Sequence, residues 1–473
     1  MLIGLGKVLG FFKDLSLSYY LGANGTTDAY FVSVYAAGLL YGGIYSAIPL
    51  LIVPNASESN LNMRNQEIAI SSMAIFLTTM FLSVVVFYFS DIVAGIFLAD
   101  SIDETVTTAS YYIRIAAVTF PLSALTLIAT SIRLADGEKI PSNVIAIFNS
   151  SLFIGAVYFW HSADNFKYAL YSTIFSWFLL VFCYGKPIIF LIKYLEWSLR
   201  NLSFDRFLLL FRTSKIFYLD QVTPAVALYF AAQCGGSFVS LFSYSNKLFL
   251  LYITISVVFV NSYLVPRFAK AYASGLRSIS GFDSDFTKLM MIVFPLTLFT
   301  LANSEYLVSL VFDRGEITYE QLGIITNLFD ILLLAIPCMV VKDIVTKIIL
   351  INREPVPLAF IQLSAILFNV VFCSIAIPQF SIFAVGLGYF LSILLVCMVL
   401  ILSGQTRSSI TRRSKINFVS SYSLICVLSF SGIDGVLVEN VGGLNLLLFT
   451  GVILMIWYHT VLKKYFKINL IKI

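Results

Sequence analysis

Four charged residues lie in two consecutive apolar segments near the start of the chain: Lys7, Lys13, Asp14 and Asp28. A charge at the centre of a bilayer costs roughly 2.5–3.5 kcal/mol even on lenient insertion scales, so such residues usually face a cavity and serve a function. Lys7 and Lys13 are about 9 Å apart along one helix axis, so both can border one wide cavity. Lysines in such a cavity suit an anionic ligand, phosphate above all.

A further lysine, Lys247, lies in an apolar segment of the second half of the chain. Basic groups from both halves around one cavity would suit an anionic substrate. The alternative is internal pairing of these lysines with Asp14 or Asp28, and the two interpretations are compatible. Asp28 has another alternative: in the first turn of its helix it could cap free amides and gain from the helix dipole.

The composition is that of an integral membrane protein. The chain has 473 residues, of which 59% are hydrophobic and 12% charged, with a mean hydropathy of +0.92. Soluble domains carry about 25% charged residues. The six cysteines occur singly, without CxxC spacing, so we expect neither disulfides nor a metal site, and no cofactor.

Apolar runs of about 20 residues, the length that crosses a bilayer, predict fourteen transmembrane helices. The predicted spans are 2–22, 28–54, 68–98, 106–134, 140–160, 166–193, 207–233, 237–266, 284–312, 319–351, 355–378, 382–403, 417–434 and 444–462.

The basic residues predict the orientation of these spans. With a cytoplasmic N-terminus, twenty Lys and Arg residues fall in or beside inner loops and two, Lys167 and Arg314, in outer loops. Cytoplasmic loops carry the excess of Lys and Arg in membrane proteins, so we expect both termini to be cytoplasmic. This placement also accounts for the net charge of +5 without a nucleic-acid partner.

Prolines recur at a nearly constant offset and indicate an internal duplication. The offset is 212 for Pro54 and Pro266, and it is 216 both for Pro121 and Pro337 and for Pro141 and Pro357. Six spans separate the members of each pair, so two copies of a six-helix unit insert with the same orientation. We therefore predict an all-α polytopic membrane protein with two six-helix lobes, 1–200 and 201–403, around a central cavity. Residues 404–473 add two C-terminal helices.

Several stretches resemble one known family. They are GKVLGFFKDLSLSYYLGANGTTDAYFVS in spans 1 and 2, FSYSNKLFLLYITISVVFVNSYLVPRFAKAYASG in span 8, LVFDRGEITYEQ before span 10, and Asn369 followed by AVGLGY in spans 11 and 12. They resemble the MurJ (MviN) lipid II flippase family, part of the multidrug/oligosaccharidyl-lipid/polysaccharide exporter superfamily. The resemblance covers nearly the whole chain.

The resemblance implies a substrate and a set of binding residues. Lys7, Lys13 and Lys247 occupy positions where the family has arginines, and Asp14 and Asp28 match its acids. In the family these positions line the central cavity and are thought to hold the pyrophosphate and sugar of an undecaprenyl-linked precursor. Spans 13 and 14 are thought to form a groove for the lipid tail. The resemblance also implies a non-enzymatic, alternating-access flippase driven by the membrane potential or a coupled cation (Na+ or H+). Its implied location is the bacterial cytoplasmic (inner) membrane, among membrane lipids.

The departures from the family pattern concern the cargo. Lysine in place of arginine keeps the charge but loses bidentate phosphate geometry. The family's basic pair later in span 2 falls at about Tyr41 and Gly42, which are neutral, and Asp220 lies out of register with its acidic cation ligand in span 7. We therefore expect a flippase of a polyprenyl-pyrophosphate-linked saccharide. The expected cargo is a lipid II-like peptidoglycan precursor, and a lipid-linked O-antigen or exopolysaccharide unit is the alternative cargo.

Two other classes of membrane protein are disfavoured. A cation-coupled multidrug exporter is disfavoured by the net-positive set of charges that we expect around the cavity. A membrane glycosyltransferase or polymerase usually needs a large outer loop or an acid-rich catalytic site, whereas every predicted outer loop is short.

Overall fold

The chain is helical throughout the residues that the structure describes. This computed structural model describes residues 2–56, 61–98, 103–135, 141–162, 165–184, 189, 192–259, 282–351, 356–402, 418 and 422. The sixteen helices in these ranges are α1 (Leu2–Leu21), α2 (Gly25–Ala56), α3 (Leu61–Tyr88), α4 (Ser90–Phe97), α5 (Asp103–Ala135), α6 (Pro141–Phe159), α7 (Phe166–Cys183), α8 (Leu195–Arg200), α9 (Phe204–Gln233), α10 (Phe238–Phe259), α11 (Phe282–Ala302), α12 (Ser304–Phe312), α13 (Tyr319–Leu333), α14 (Ile336–Ile351), α15 (Val356–Phe380) and α16 (Ile382–Leu402).

Many of these helices are long and apolar enough to cross a membrane. Among the described residues, six single helices meet this condition (α2, α3, α5, α7, α15 and α16), and up to eight spans result if the bent pairs α11–α12 and α13–α14 each count as one. The prediction of an all-α polytopic membrane protein is confirmed. The number fourteen stays a prediction, and the predicted spans 417–434 and 444–462 lie almost wholly outside the described residues.

Three predicted spans are pairs of helices rather than continuous rods. The span 68–98 is interrupted at Phe89, between α3 and α4. The span 284–312 bends by 70° between α11 and α12, and 319–351 bends by 45° between α13 and α14. The interruption at Phe89 recurs at Asn303, which separates α11 from α12, and the offset between them lies within the range of the proline offsets, as a duplicated unit predicts.

The paired prolines Pro121 and Pro337 have different effects on their helices. Helix α5 continues from Asp103 to Ala135 through Pro121. Pro337 lies in the first turn of α14, directly after the bend, where its missing N–H removes no helical hydrogen bond. Of these two prolines, only Pro337 therefore marks a helix boundary.

Contacts divide the chain into two compact units. The first comprises Met1–Tyr244, Phe312–Gln321 and Ile375–Val385, and the second comprises Ser245–Val311, Leu322–Ser374 and Gly386–Ile473. Helix α9 and the start of α10, which the sequence assigned to the second lobe, pack in the first unit. The division into lobes at 200 and 403 stays a prediction.

Each unit has its own packed interior. In the first unit, α2 packs on α5 and α9, and α1 packs on α6. The aromatic rings of Tyr30, Phe153 and Phe166 meet there with centroids 5.8–6.3 Å apart. In the second unit α11 packs on α14, and Gly386 of α16 brings its backbone against Leu328 of α13. These interiors hold the helices that carry the candidate site residues.

Candidate functional site

Lys13 lies against aromatic rings inside the first unit. Its ammonium group is 4.4 Å from the ring centroid of Phe153 on α6 and 5.6 Å from that of Tyr30 on α2. A cation over an aromatic face is stabilised by about 0.5–2 kcal/mol, more when water is excluded. The fold therefore accommodates this charge within the helix packing rather than leaving it in lipid.

Asp14, Asp28 and Tyr244 are all buried in the first unit. Asp14 is 7% exposed and Asp28 is 4% exposed. Both carboxylates are close enough to the phenol of Tyr244 to act on it electrostatically. The Tyr244 hydroxyl donates to the carbonyl of Gly22 at 2.8 Å. The structure thus buries two of the predicted site residues in the first unit.

Asp28 caps the N-terminus of α10. Its carboxylate accepts the backbone N–H of Ser237 at 2.9 Å and that of Ser240 at 2.8 Å, and it also accepts the Ser240 hydroxyl. The Thr27 hydroxyl lies 2.8 Å from the same Ser240 oxygen. A carboxylate on the free amides of a helix N-terminus forms charge-assisted hydrogen bonds and interacts favourably with the helix dipole.

The interpretation of Asp28 as the cap of its own helix is wrong. The start of α2 is capped by Asn24, whose side-chain oxygen accepts the N–H of Thr27 at 3.1 Å while the Thr27 hydroxyl accepts the N–H of Asn24 at 2.9 Å. This reciprocal pair satisfies the first turn locally. Asp28 is therefore free to cap α10, a helix that begins much later in the chain, at Phe238.

The segment between α12 and α13 lies against the end of α1. Gly315 has a φ of +92°, and a Cβ there would be 2.1 Å from the carbonyl oxygen of Tyr19. Gly22 has a φ of +68°, and a Cβ on it would be 2.8 Å from the carbonyl oxygen of Glu316. The Gln321 side-chain amide donates to the carbonyl of Ala23 at 3.3 Å. Glycine is needed at both positions because any side chain would be strained and would clash.

These contacts form one cluster, which we call the clasp. It consists of Asp28 with Ser237 and Ser240, Tyr244 with Gly22, Gly315 with Tyr19, and Gln321 with Ala23. All of these residues belong to the first unit. The sequence singled out Asp28 and the DRGEIT stretch but did not indicate that they meet the same turn.

The positions of Lys7 and Lys247 relative to the clasp stay predictions. Lys7 lies in α1, but its side chain is outside the described residues. Lys247 is half-buried on α10, in the second unit. The prediction that basic groups from both halves of the chain face one cavity therefore stays a prediction.

A cavity of about 210 Å³ opens between α2, α5 and α7. Its lining is Ala37, Gly38, Tyr41, Gly42, Tyr45, Thr119, Phe120, Ser123 and Trp177. Tyr41 accepts the Ser123 hydroxyl at 3.0 Å and stacks on Phe120 with centroids 4.9 Å apart. This apolar and aromatic surface includes Tyr41 and Gly42, and its described lining includes no cation.

Glycines on α2 let α9 approach closely. A Cβ on Gly43 would lie 2.5–2.8 Å from the ring of Tyr218, and one on Gly42 would lie 3.3 Å from Gln221. The Tyr218 hydroxyl donates to the carbonyl of Leu40 at 3.1 Å. Small residues at such spacing are typical of closely packed membrane helices.

We expect Gly43→Ala to destabilise the purified protein by about 1–3 kcal/mol, because the methyl group overlaps the Tyr218 ring. Thermal unfolding in detergent measures the effect. Gly155→Ala on α6 is the matched control, since nothing lies within 4 Å of its Cβ position. Adding Tyr218→Ala should recover part of the loss. Equal melting temperatures for Gly43→Ala and Gly155→Ala would contradict the close packing of α2 on α9.

Comparisons with known proteins agree with this architecture. A family model described as "Lipid II flippase MurJ" matches residues 17–454. A curated relative, the "Probable lipid II flippase MurJ" of Aquifex aeolicus (strain VF5), is 22% identical over 348 residues, which cover 70% of this chain and 67% of the relative.

Solved structures share the fold at low sequence identity. A structure described as "Lipid II flippase MurJ, inward closed conformation" aligns with a TM-score of 0.78 and 16% identity, covering 97% of each chain. An inward-facing multidrug resistance MATE family transporter of the MOP superfamily aligns with a TM-score of 0.66 and 14% identity, covering 88% of this chain and 96% of that one.

Proposed function

The chain belongs to the lipid II flippase MurJ family, and we propose that it moves an undecaprenyl-pyrophosphate-linked saccharide from the inner to the outer leaflet by alternating access. The cargo is a lipid II-like peptidoglycan precursor. The protein acts as a transporter rather than an enzyme, in the bacterial cytoplasmic (inner) membrane, with both termini in the cytoplasm. In this orientation the turn between α1 and α2, and with it the clasp, lies at the outer surface.

The clasp is the observation that carries the proposal. It joins the first two helices to the start of α10 and to the segment before α13, which are both distant in sequence. Its contacts are hydrogen bonds and close glycine approaches, and Tyr244 also packs on the rings of Phe31 and Phe312. Such bonds contribute about 0.5–3 kcal/mol each, so the set can hold the start of α10 and the segment before α13 against the turn between α1 and α2.

The charged residues of the site supply recognition of the pyrophosphate. Lys13, half-buried over aromatic faces and next to the buried Asp14 in sequence, offers a positive charge within the helix packing. Lys7 and Lys247 add further positive charge, and Asp14 and Asp28 contact the sugar or balance these lysines. A lipid-linked anion competes with Asp14 and Asp28 for the lysines. The anion is released when the clasp opens. The membrane potential or a coupled cation, Na+ or H+, drives the cycle.

A second cargo is favoured by one observation. The cavity at Tyr41 and Gly42 is aromatic where the related family has basic residues. Aromatic faces suit a sugar ring better than a phosphate. A lipid-linked O-antigen or exopolysaccharide unit is therefore the alternative cargo.

Genetic rescue tests the proposed function. Cells depleted of their own lipid II flippase should grow when they express this protein. A failure to rescue, together with loss of a surface polysaccharide when the gene is deleted from its own host, would move the assignment to the second cargo. A failure to rescue without any loss of polysaccharide would contradict both cargoes.

Lys13→Gln should reduce rescue strongly, whereas Lys13→Arg should retain it, because the arginine keeps a charge over the same rings. Growth of the depleted strain and the amount of variant in the membrane are measured together. Lys193→Gln, which changes an exposed lysine, is the matched control. Full rescue by Lys13→Gln would remove Lys13 from the proposed substrate site.

A further inference from the structure

Two short helices, α4 and α12, directly follow the breaks at Phe89 and Asn303. Each begins with a buried serine, which is Ser90 in α4 and Ser304 in α12. Aligning the two breaks pairs each residue of α4 with one of α12. The paired residues can therefore be compared in burial as well as in type.

The two short helices bury and expose the same positions. The buried residues recur every four positions, and they are Ser90, Ala94 and Leu98 after the first break and Ser304, Val308 and Phe312 after the second. The exposed residues also match, and they are Asp91, Ile92 and Ile96 after the first break and Glu305, Tyr306 and Leu310 after the second. Residues four apart lie on one face of a helix. Each short helix therefore packs one face on the protein and presents large apolar side chains, with an acid beside them, on another.

The exposed apolar side chains form a strip on each short helix. Ile92 and Ile96 form the strip of α4, and Tyr306 and Leu310 form the strip of α12. Each of these four side chains is 50–68% exposed. Exposed apolar surfaces of this kind mark places where a protein contacts lipid or another protein.

The neighbouring surface of α3 favours lipid as the occupant. The part of α3 that is long and apolar enough to cross a membrane ends at Tyr88. Phe81 and Val84 within this part are exposed, and so are Tyr88 and the residue at the break, Phe89. These side chains lead from the spanning helix across the break to Ile92. The strip of α4 thus continues a surface that faces lipid.

Helices α3 and α11 are each long enough to cross the hydrocarbon core alone. They have 28 and 21 residues, which correspond to helix lengths of about 42 and 31 Å. The hydrocarbon core is about 30 Å thick. The short helices α4 and α12 are therefore not needed to complete these spans.

The bend before α12 turns this helix toward the membrane plane. The axis of α12 departs from that of α11 by 70°. Spanning helices tilt by about 20° from the membrane normal, which leaves α12 at about 50–90° from the normal. A helix at such an angle lies along the membrane surface.

The acids at the first turns of both short helices fit the headgroup layer. Charged side chains are costly in the hydrocarbon core and are tolerated at its edge. Asp91 forms an ion pair with Arg114 of α5 at 2.8 Å, and both side chains are exposed in part. Glu305 is exposed at the start of α12. The first turn of each short helix therefore belongs beside the headgroups, next to a strip that belongs beside the acyl chains.

We propose that α4 and α12 are interfacial helices, which lie at the boundary between lipid headgroups and acyl chains with their apolar strips inserted into the lipid. Amphipathic helices insert their apolar face about 5–10 Å into this boundary. In the orientation proposed above, the spans before α4 and α12 end at the outer leaflet. The insertion concerns lipid contact alone and holds whichever cargo the protein moves.

Depth-dependent quenching of a single tryptophan tests the insertion. The four native tryptophans are replaced by phenylalanine, and Ile96→Trp or Leu310→Trp is introduced into the full chain in phosphatidylcholine vesicles. The lipid carries bromine either near the glycerol ends of its acyl chains or near their methyl ends. We expect bromine near the glycerol ends to quench both tryptophans most strongly, with a fitted depth of about 5–10 Å below the headgroup boundary. Iodide in the aqueous phase should quench both of them weakly.

Two further positions are matched controls for depth. Phe81→Trp should be quenched most strongly by bromine near the methyl ends, because Phe81 is exposed within the spanning part of α3. Glu104→Trp, at the exposed start of α5, should be quenched by iodide.

A second probe removes the preference of the indole ring itself for the interface. Ile96→Cys or Leu310→Cys, in a chain whose native cysteines are replaced by alanine, carries a nitroxide. Its collision rate should be high with oxygen, which dissolves in the acyl layer, and low with a water-soluble nickel complex.

Two results would overturn the proposal. Stronger quenching of Ile96→Trp or Leu310→Trp by iodide than by either brominated lipid would show a strip that faces water or a protein partner. A depth equal to that of Phe81→Trp would place the short helices inside the spanning core.

Discussion

Asp28→Asn is expected to abolish rescue of a flippase-depleted strain while the protein still accumulates in the membrane. The carboxylate accepts two backbone N–H groups and one hydroxyl at the start of α10. An asparagine offers one acceptor oxygen and turns an NH2 group toward the remaining donors. Hydrogen bonds to a charged group contribute about 1.5–3 kcal/mol each, so the clasped form should lose about 3 kcal/mol. That loss shifts the equilibrium between clasped and open forms by roughly 100-fold.

A native cysteine reports the expected opening. Cys234 lies in the turn directly before α10, and its thiol donates to the carbonyl of Phe230 at 3.3 Å. With the other five cysteines replaced by alanine, Asp28→Asn should speed modification of Cys234 by a membrane-impermeant thiol reagent. Asp205→Asn, which changes an exposed acid in the first turn of α9, is the control and should label like the parent. Unchanged labelling combined with full rescue by Asp28→Asn would remove Asp28 from the clasp's function.

The partners of Asp28 illustrate what sequence patterns could and could not predict. Its position in an apolar segment marked it as functional, because an acid at that depth needs compensation. Its partners, Ser237 and Ser240, lie in the other half of the chain. Serines near the start of an apolar helix are common caps, so they did not indicate a partner for Asp28. A capping interaction between distant helices has no local signature, so only the fold could identify it.

The positions of the helices could be predicted from the length of the apolar runs, whereas the breaks within them could not. An uninterrupted apolar run satisfies the length rule for a span whether or not the backbone bends within it. Phe89 and Asn303 carry no glycine or proline signal, so the interruptions before α4 and α12 were missed. Pro337 entered the proline offsets, but its place in the first turn of a new helix was not predicted.

The recurring proline offsets indicate an internal duplication, which stays a prediction. Offsets between prolines predicted two similar six-helix units, and the interruptions at Phe89 and Asn303 recur at nearly the same offset. The resemblance to the lipid II flippase family, which rested on four stretches, is confirmed over residues 17–454. The roles of Lys7, Lys13 and Lys247 stay predictions, since charge and position alone do not define the geometry of a ligand site.

The segment before α13 makes the last strong prediction. Gly315→Ala is expected to release this segment from the end of α1 and to reduce rescue nearly as much as Asp28→Asn. A methyl group at Gly315 would lie 2.1 Å from the Tyr19 carbonyl oxygen and 2.7 Å from its carbon, so the backbone must move. The left-handed φ of +92° adds a cost of about 1–3 kcal/mol for any residue other than glycine. Trypsin cleavage after the neighbouring Arg314, an exposed residue, should become faster in the purified variant.

Gly323→Ala on α13 is the matched control, because nothing lies within 4 Å of its Cβ position and alanine favours a helix. Equal cleavage rates and equal rescue by the two variants would show that the close approach of Gly315 to Tyr19 does not contribute to closure.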